Sequence, residues 1–225
     1  MSELAGQTAL VTGASRGIGL AIAHMLHREG VRLTLLSRTP PPPPLNSYHQ
    51  PCDLADLTQL EEIVKTLPAP HILIHNAGIF HERSIAETNL PDWERVHRVN
   101  VTAPFLITRV FLPSMTARRS GRILFIASTA SVQAYRHQAA YVASKHALLG
   151  FARTLAMECR PFGIHVHALC PGGVATELIK DTELGARLAG QPMIQPSDIA
   201  EWVRFLLLQP ARLDVAEVVI RRFVA

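Results

Sequence analysis

The chain has 225 residues, 48% hydrophobic and 18% charged, with a formal net charge of +4. That balance suits one compact domain with a sizeable core, and no apolar run approaches the roughly 18 residues of a membrane span. Cys52, Cys159 and Cys170 are too few and scattered for a disulfide framework, and the mild, dispersed positive charge argues weakly for nucleic acid but suits a phosphate-bearing ligand. The opening M-S-E-L-A-G-Q-T-A-L-V-T-G has no basic region and no long apolar stretch. No signal peptide is therefore expected, and a cytoplasmic location is.

Thr8–Val11 reads as a short strand running into T-G-A-S-R-G-I-G, Thr12 to Gly19, and then into a helical pattern of Ile18, Ala21, Ile22, Met25 and Leu26. Gly13, Gly17 and Gly19 let the backbone turn tightly. The amides from Gly13 through Ser15, Arg16 and Ile18 can then face a pyrophosphate at the helix start. The spacing is G-x-x-x-G-x-G, not the common dinucleotide fingerprint G-x-G-x-x-G, and a merely structural turn is the competing reading. Gly30 closes the helix. Val31–Leu36 is a second strand ending in Ser37-Arg38. An acid there would hold a ribose 2′-hydroxyl, and none is present. Ser37 and Arg38, with Arg16 as a second cation, suit a 2′-phosphate instead, which favours NADP(H) over NAD(H). The alternative is that Arg38 is an ordinary solvated loop cation.

Pro40–Pro44 cannot be helix, so a polyproline-like link is expected before a short third strand within Asn46–Gln50. Asp53-Leu54 follows. The Asp53 carboxylate either meets an adenine amino group or serves as the cap of a later turn. Leu57–Leu67 is helical and is broken by Pro68 and Pro70. His71–His75 is a fourth strand ending in Asn76-Ala77-Gly78, small enough for close ligand approach. Pro91–Arg118 reads as one long helix with a kink near Asn100 and Pro104. Gly121–Ala127 is the fifth strand and leads to Ser128. The next helix carries Tyr141 and Lys145 and runs to about Arg160, where Gly163 breaks it. Ile164–Leu169 is the sixth strand, ending in C-P-G-G-V-A-T, Cys170 to Thr176. Glu177–Ala189 is expected as one amphipathic helix of a substrate lid spanning about 174–195. Pro196 opens another helix through Leu208, and Val215–Ile220 is the last strand.

The alternation implies a single α/β domain over 1–225. Its core is a Rossmann-like, doubly wound parallel sheet of about seven strands with helices on both faces. Ligands then bind beyond the carboxyl ends of the strands. Gly13–Gly19, Arg38, Asn76, Ser128 and Pro171–Thr176 all fall there.

Tyr141 and Lys145 stand four apart, on one helix face. Free tyrosine has a pKa of about 10 and is a poor base at neutral pH. A nearby ammonium is expected to lower that value. Ser128, at a strand end, can hold a substrate oxygen while the phenol gives or takes its proton. Hydride requires a nicotinamide, since no side chain carries it. A bare Y-x-x-x-K is short, and an amphipathic helix with a core tyrosine and a surface lysine is the competing reading.

Taken together, T-G-A-S-R-G-I-G, Asn76-Ala77-Gly78, Asn100, Ser128, Tyr141-V-A-S-Lys145 and Pro171-G-G-V-A-Thr176 resemble the short-chain dehydrogenase/reductase family over nearly the whole length. The resemblance implies an NAD(P)-dependent oxidoreductase acting on a small carbonyl or alcohol substrate, and Ser37 and Arg38 turn that expectation towards NADP. Tyr141 would be the acid or base, Lys145 would tune it and bind the nicotinamide ribose, and Ser128 would hold the substrate oxygen. Asn100 would help bind a relay water. Gly13–Gly19 would hold the adenine ribose and phosphates and Asn76, with Ala77 and Gly78, the adenosine side. Pro171, Gly172, Val174 and Thr176 would flank the nicotinamide. A homodimer or homotetramer is implied, through the helices Pro91–Arg118 and Tyr141–Arg160. Tyr135 is no substitute for Tyr141, because Ala139 stands four residues on.

Two departures stand out. The proline run replaces a helix, and E-V-V-I-R-R-F-V-A lacks the glycine pair common after the last strand. The first reading is an NADPH-dependent carbonyl reductase or alcohol dehydrogenase. The alternatives are a 3-oxoacyl-[acyl-carrier-protein] reductase, with Arg136 or His137 near the entrance, and a catalytically silent dinucleotide sensor. His165-x-His167 shares a strand face, but no carboxylate or cysteine set accompanies it, so no metal is expected.

Overall fold

The computed structural model describes residues 2–223; Met1, Val224 and Ala225, at the ends of the expected domain, lie outside them. Seven strands form one parallel sheet in the order β3-β2-β1-β4-β5-β6-β7. They are β1 (Thr8–Thr12), β2 (Arg32–Ser37), β3 (Tyr48–Pro51), β4 (Ile72–His75), β5 (Gly121–Ile126), β6 (Ile164–Pro171) and β7 (Glu217–Ile220). The chain winds outward from β1 to β3, then returns across the sheet to β4. The crevice of such a sheet opens at this reversal, above the carboxyl ends of β1 and β4.

Strand side chains alternate between two cores, as period-two geometry requires. Leu73, Ile123 and Phe125 face helices α2 (Leu57–Thr66), α4 (Ala103–Ala117) and α5 (Ala139–Cys159), meeting Leu60, Phe111 and Leu149. Ile72, Ile74, Leu124 and Ile126 face α1 (Gly17–Arg28) and α8 (Pro196–Leu207), meeting Ile22, Leu26, Val203 and Leu206. Burial on both faces is why these strands read as continuous apolar runs. The sheet's rigidity fixes the positions of the strand ends that carry polar groups.

The structure departs from the sequence expectations in two places. The helix expected over 91–118 is α3 (Leu90–His97), a widened π turn over Arg98–Thr102, and α4. The backbone N–H of Ala103 reaches the carbonyl of Arg98 there, so the bend expected near Asn100 is one extra residue in the turn. The lid helix expected over 177–189 is two short pieces, α6 (Glu177–Lys180) and α7 (Glu183–Leu188). The Thr182 side chain caps the second piece by accepting from the Gly185 N–H at 3.1 Å, and a residue that caps one helix ends the preceding one. Asp56 caps α2, accepting from the Gln59 N–H. Asp53 caps the turn before it, as one of its two expected roles had it, its carboxylate accepting from the Ala55 N–H at 3.0 Å. The residues from Arg38 to Ser47 form neither helix nor strand, as the prolines require.

Candidate active site

A cleft of about 850 Å³ lies above the carboxyl ends of the strands. Every residue expected to act on the substrate or hold the cofactor lines it except Gly19 and Asn100, which stand behind its wall, whereas Arg136 and His137 do not line it. A Cβ on Gly19 would come within 2.3 Å of the Gly13 carbonyl oxygen. Gly13 has φ +68, and its own Cβ would meet the Ala77 Cα at 2.8 Å. These two glycines are therefore required first by the packing of the turn on itself.

The turn is held from the next strand. The Asn76 amide donates to the carbonyls of Thr12 and Gly13, both at 3.0 Å. The buried Thr12 hydroxyl accepts from the N–H groups of Asn76 and Ala77 at 3.1 Å each. Asn76 thus braces the turn with its side chain, and Thr12 is a positioning residue that the sequence reading passed over. Beyond the turn, Arg16 caps α1 with its backbone only, no side chain satisfies the helix end, and no acid lies in the first turn. The first amides of that helix are free to receive an anion.

At the β2 end, Arg38 and Arg16 are exposed, and neither has an ion-pair partner among the described residues. Ser37 is different. Its hydroxyl donates to the Thr39 carbonyl at 2.8 Å and lies 3.1 Å from the His49 ring. It shapes the loop, and its hydroxyl is already engaged within the protein.

At the other end, Tyr141 and Lys145 project from one face of α5 and are almost fully buried, 8% and 4% exposed. The Lys145 ammonium lies 5.8 Å from the Tyr141 ring centroid. Phe80 packs edge-on against that ring at 4.9 Å. Burial pushes the Tyr141 phenol up to about 12, while the neighbouring Ser128 hydroxyl pulls the other way. The sequence reading expected the lysine to lower this value. The net shift is upward because desolvation of the phenolate outweighs the pull of Ser128. Burial also lowers the Lys145 ammonium to about 8. The protein's own groups hold the phenol protonated, as a proton donor to a developing alkoxide requires.

Asn100 is fully buried. Its Oδ1 accepts from the Ile79 N–H at 2.9 Å, and its Nδ2 donates to the Ile79 carbonyl and the Ser144 hydroxyl, both at 3.0 Å. Ser144 in turn donates to the Tyr141 carbonyl at 2.7 Å. The widened turn thereby ties the β4 loop to the helix of Tyr141. Ser128 accepts from the Ala130 N–H at 3.1 Å, so its side chain is held in place at the end of β5. Tyr135 also lines the cleft, its hydroxyl donating to Thr129 at 2.8 Å.

The chain matches the model of the short chain dehydrogenase family over residues 7–186. It belongs to that family. This oxidoreductase is 31% identical to a 3-oxoacyl-[acyl-carrier-protein] reductase of Synechocystis over 94% of its own length and 93% of the relative's. Among solved structures, it resembles a metagenomic short-chain oxidoreductase in complex with NADP (29% identity, TM-score 0.83, all of both chains). It also resembles a 4-hydroxyisoleucine dehydrogenase complexed with NADH (25% identity, TM-score 0.87, 96% of this chain and 97% of that one). Relatives with either nucleotide share the fold, so the choice between the two depends on local groups such as those at the end of β2. Among the described residues no group of three or more His, Cys, Asp or Glu side chains could hold a metal, and no helix is long and apolar enough to cross a membrane.

Proposed function

We propose that the chain is an NADPH-dependent carbonyl reductase, able to run in reverse as an alcohol dehydrogenase. The observation that carries this reading is the convergence of Ser128, Tyr141 and Lys145 on one cleft that also holds Arg16 and Arg38, neither with an ion-pair partner among the described residues. The cleft fits the dinucleotide: a turn with no room for a Cβ at Gly13 or Gly19, an uncapped helix start for the pyrophosphate, and Arg16 and Arg38 for a 2′-phosphate. Bound NADPH supplies the hydride. Ser128 donates a hydrogen bond to the carbonyl oxygen and orients it. Tyr141 delivers its phenolic proton to the same oxygen as negative charge develops there. Lys145 keeps a positive charge beside the phenol and would bind the nicotinamide ribose. Both amide protons of Asn100 are spent on the protein, so a relay water at this residue would sit on its backbone carbonyl. Pro171, Gly172, Val174 and Thr176 flank the nicotinamide end, Asp53, Leu54, Ala77 and Gly78 the adenosine end, and residues 174–195 act as the lid.

A second reading, 3-oxoacyl-[acyl-carrier-protein] reduction, draws on one feature of the rim. The Arg83 N–H donates to the His137 carbonyl at 2.7 Å, gathering the exposed Arg83, Arg136 and His137 near the mouth. Such a basic rim suits an acidic carrier. A silent dinucleotide sensor would need neither the hydroxyl nor the phenol of the cleft. Phe105 and Met157, exposed on α4 and α5, support a homodimer or homotetramer through these helices. Three buried free thiols suit the cytoplasm.

The test is NADPH oxidation across ketones, aldehydes, quinones and acetoacetyl thioesters. Turnover of simple ketones supports the first reading, and turnover confined to thioesters supports the second. Tight NADPH binding with no turnover of any class would leave the sensor.

A further inference from the structure

We propose that Arg221 and Arg222 hold the anionic end of the substrate, so that the preferred substrates are ketones carrying a carboxylate on a short apolar chain, or the matching hydroxy acids. The proposal rests on the oxidoreductase reading above and narrows its substrate class.

Both arginines follow directly on β7 and line the cleft. The Gly172 N–H donates to the Ile220 carbonyl at 2.8 Å, joining the ends of β6 and β7. A Cβ on Gly172 would lie 3.6 Å from the Thr129 methyl and 3.8 Å from the Arg221 Cα. Arg221 therefore flanks the same glycine as the residue following Ser128. Arg222 packs on Gly173, with its Cδ and Nε 3.3 Å from where a Cβ would stand. Its Nη1 donates to the Gln191 side chain at 2.8 Å, which places the guanidinium between the end of β6 and the trailing edge of the lid.

Neither arginine has a carboxylate partner among the described residues. The carboxylates lining the cleft are Asp53, following β3 at the far edge, and Glu177, in the first turn of α6. This end of the cleft thus carries two guanidinium groups against one carboxylate.

The sheet order sets these groups apart from the 2′-phosphate end of the cofactor. Strands lie about 4.8 Å apart, so the end of β7 is about 24 Å from the end of β2, where Arg38 sits, and about 19 Å from the glycine turn after β1. It is only about 10 Å from the end of β5, where Ser128 would hold the carbonyl. An anion at Arg221 and Arg222 is therefore closer to the molecule whose carbonyl faces Tyr141 than to the adenosine end of the cofactor. Leu178, Ile179 and Leu184 of the lid also line the cleft and suit the methylenes between the two groups. Paired guanidinium donors match the geometry of a carboxylate.

The experiment compares NADPH-dependent reduction of 5-oxohexanoate and 2-hexanone by the wild type, Arg221→Gln, Arg222→Gln, the double variant and Arg222→Lys. The wild type should favour the acid by at least about tenfold in kcat/KM, and the double variant should bring that ratio close to one, mainly through KM. Arg222→Lys should retain part of the preference. Arg221→Gln removes an exposed side chain without a protein partner, so it carries the test if Arg222→Gln fails to fold. Calorimetry on the NADP-loaded protein supplies a readout independent of turnover: hexanoate should bind better than hexanamide, and at least about tenfold more weakly to the double variant. If neither ketone turns over while this binding pattern holds, the oxidoreductase reading fails and the anion site stands. Equal treatment of acid and neutral ketone by the wild type, a ratio unmoved by the variants, or a loss of NADPH affinity instead, overturns the proposal.

Discussion

The Lys145 ammonium donates to the carbonyl oxygen of Ile126 at 3.0 Å. One bond from helix α5 to the end of strand β5 therefore fixes the lysine beside the phenol of Tyr141, one helical turn away. Lys145→Met removes that charge and should lower kcat for carbonyl reduction by about 10²–10⁴, as should Tyr141→Phe. The double variant should be little worse than either single one, because the two act as a unit. NADPH affinity, measured by fluorescence titration, should change little in Tyr141→Phe. A mutant kcat close to wild type would exclude the phenol as the acid.

The pH dependence follows from the two shifts. With the phenol pushed up to about 12 and the ammonium lowered to about 8, Tyr141 stays protonated through neutral pH while Lys145 loses its charge as pH rises through about 8. Reduction should therefore be flat from about pH 6 to 7.5 and decline above about pH 8. That alkaline limb should vanish in Lys145→Met. A limb that persisted in the variant would have to come from another group.

Arg38→Asp places a carboxylate where a 2′-phosphate is expected and a 2′-hydroxyl would be welcome. The ratio of kcat/KM for NADPH over NADH should fall by at least about tenfold. Arg38 is exposed and unpaired, so the melting temperature should hardly move. An unchanged ratio would remove this arginine from the phosphate site.

Glu82 fastens the helix over Glu183–Leu188, part of the segment proposed as a lid. Its carboxylate, 5% exposed, accepts from the Leu184 N–H at 2.8 Å and from Arg187 at 2.7 Å. Glu82→Gln keeps an acceptor but loses the charge, and bonds to charged groups are the stronger ones. Amide exchange across 183–188 should speed up by at least about tenfold, with KM raised more than kcat is lowered. Exchange unchanged from wild type would show that the lid is held by its apolar contacts alone.

His75 should appear in the acid stability of the fold. It is buried, stacks on Phe125 at 4.7 Å, and lies 2.8 Å from the Thr108 hydroxyl. Burial pushes it down to about 3, against about 6.5 when unfolded. The unfolded chain thus binds the extra proton between these values, and stability is lost as pH falls through that window. His75→Gln, which keeps a partner for Thr108, should take up about one proton fewer on unfolding, read from the slope of unfolding free energy between about pH 6 and 4. An identical slope would mean that His75 is not kept neutral by the fold.

Much of this was legible in the chain itself. Apolar runs separated by helical periods are local features, and they place all seven strands within a few residues of where they lie. The short motifs at the strand ends then converge, because parallel strands present their carboxyl ends to one side. Other features were hidden, because they depend on partners far away in sequence. Ser37 reads as a phosphate ligand until His49 and the Thr39 carbonyl claim its hydroxyl. Asn100 reads locally only as a polar residue near a helix kink until Ile79 and Ser144 surround it. Nothing in the local pattern marks Glu82, whose partner Arg187 lies 105 positions away.

The amino-acid order alone determined the layered α/β architecture, the phosphate turn and the identities of the hydroxyl, phenol and ammonium, because hydrophobic period and turn chemistry act over a few neighbouring residues. Folding alone decided the upward shift of that phenol's pKa, the division of residues 177–189 into two helical pieces, and the arrival of Arg221 and Arg222 beside the residue that follows Ser128. Desolvation and charge pairing are set by what surrounds a group in space, and those surroundings exist only once the sheet has brought distant strand ends together.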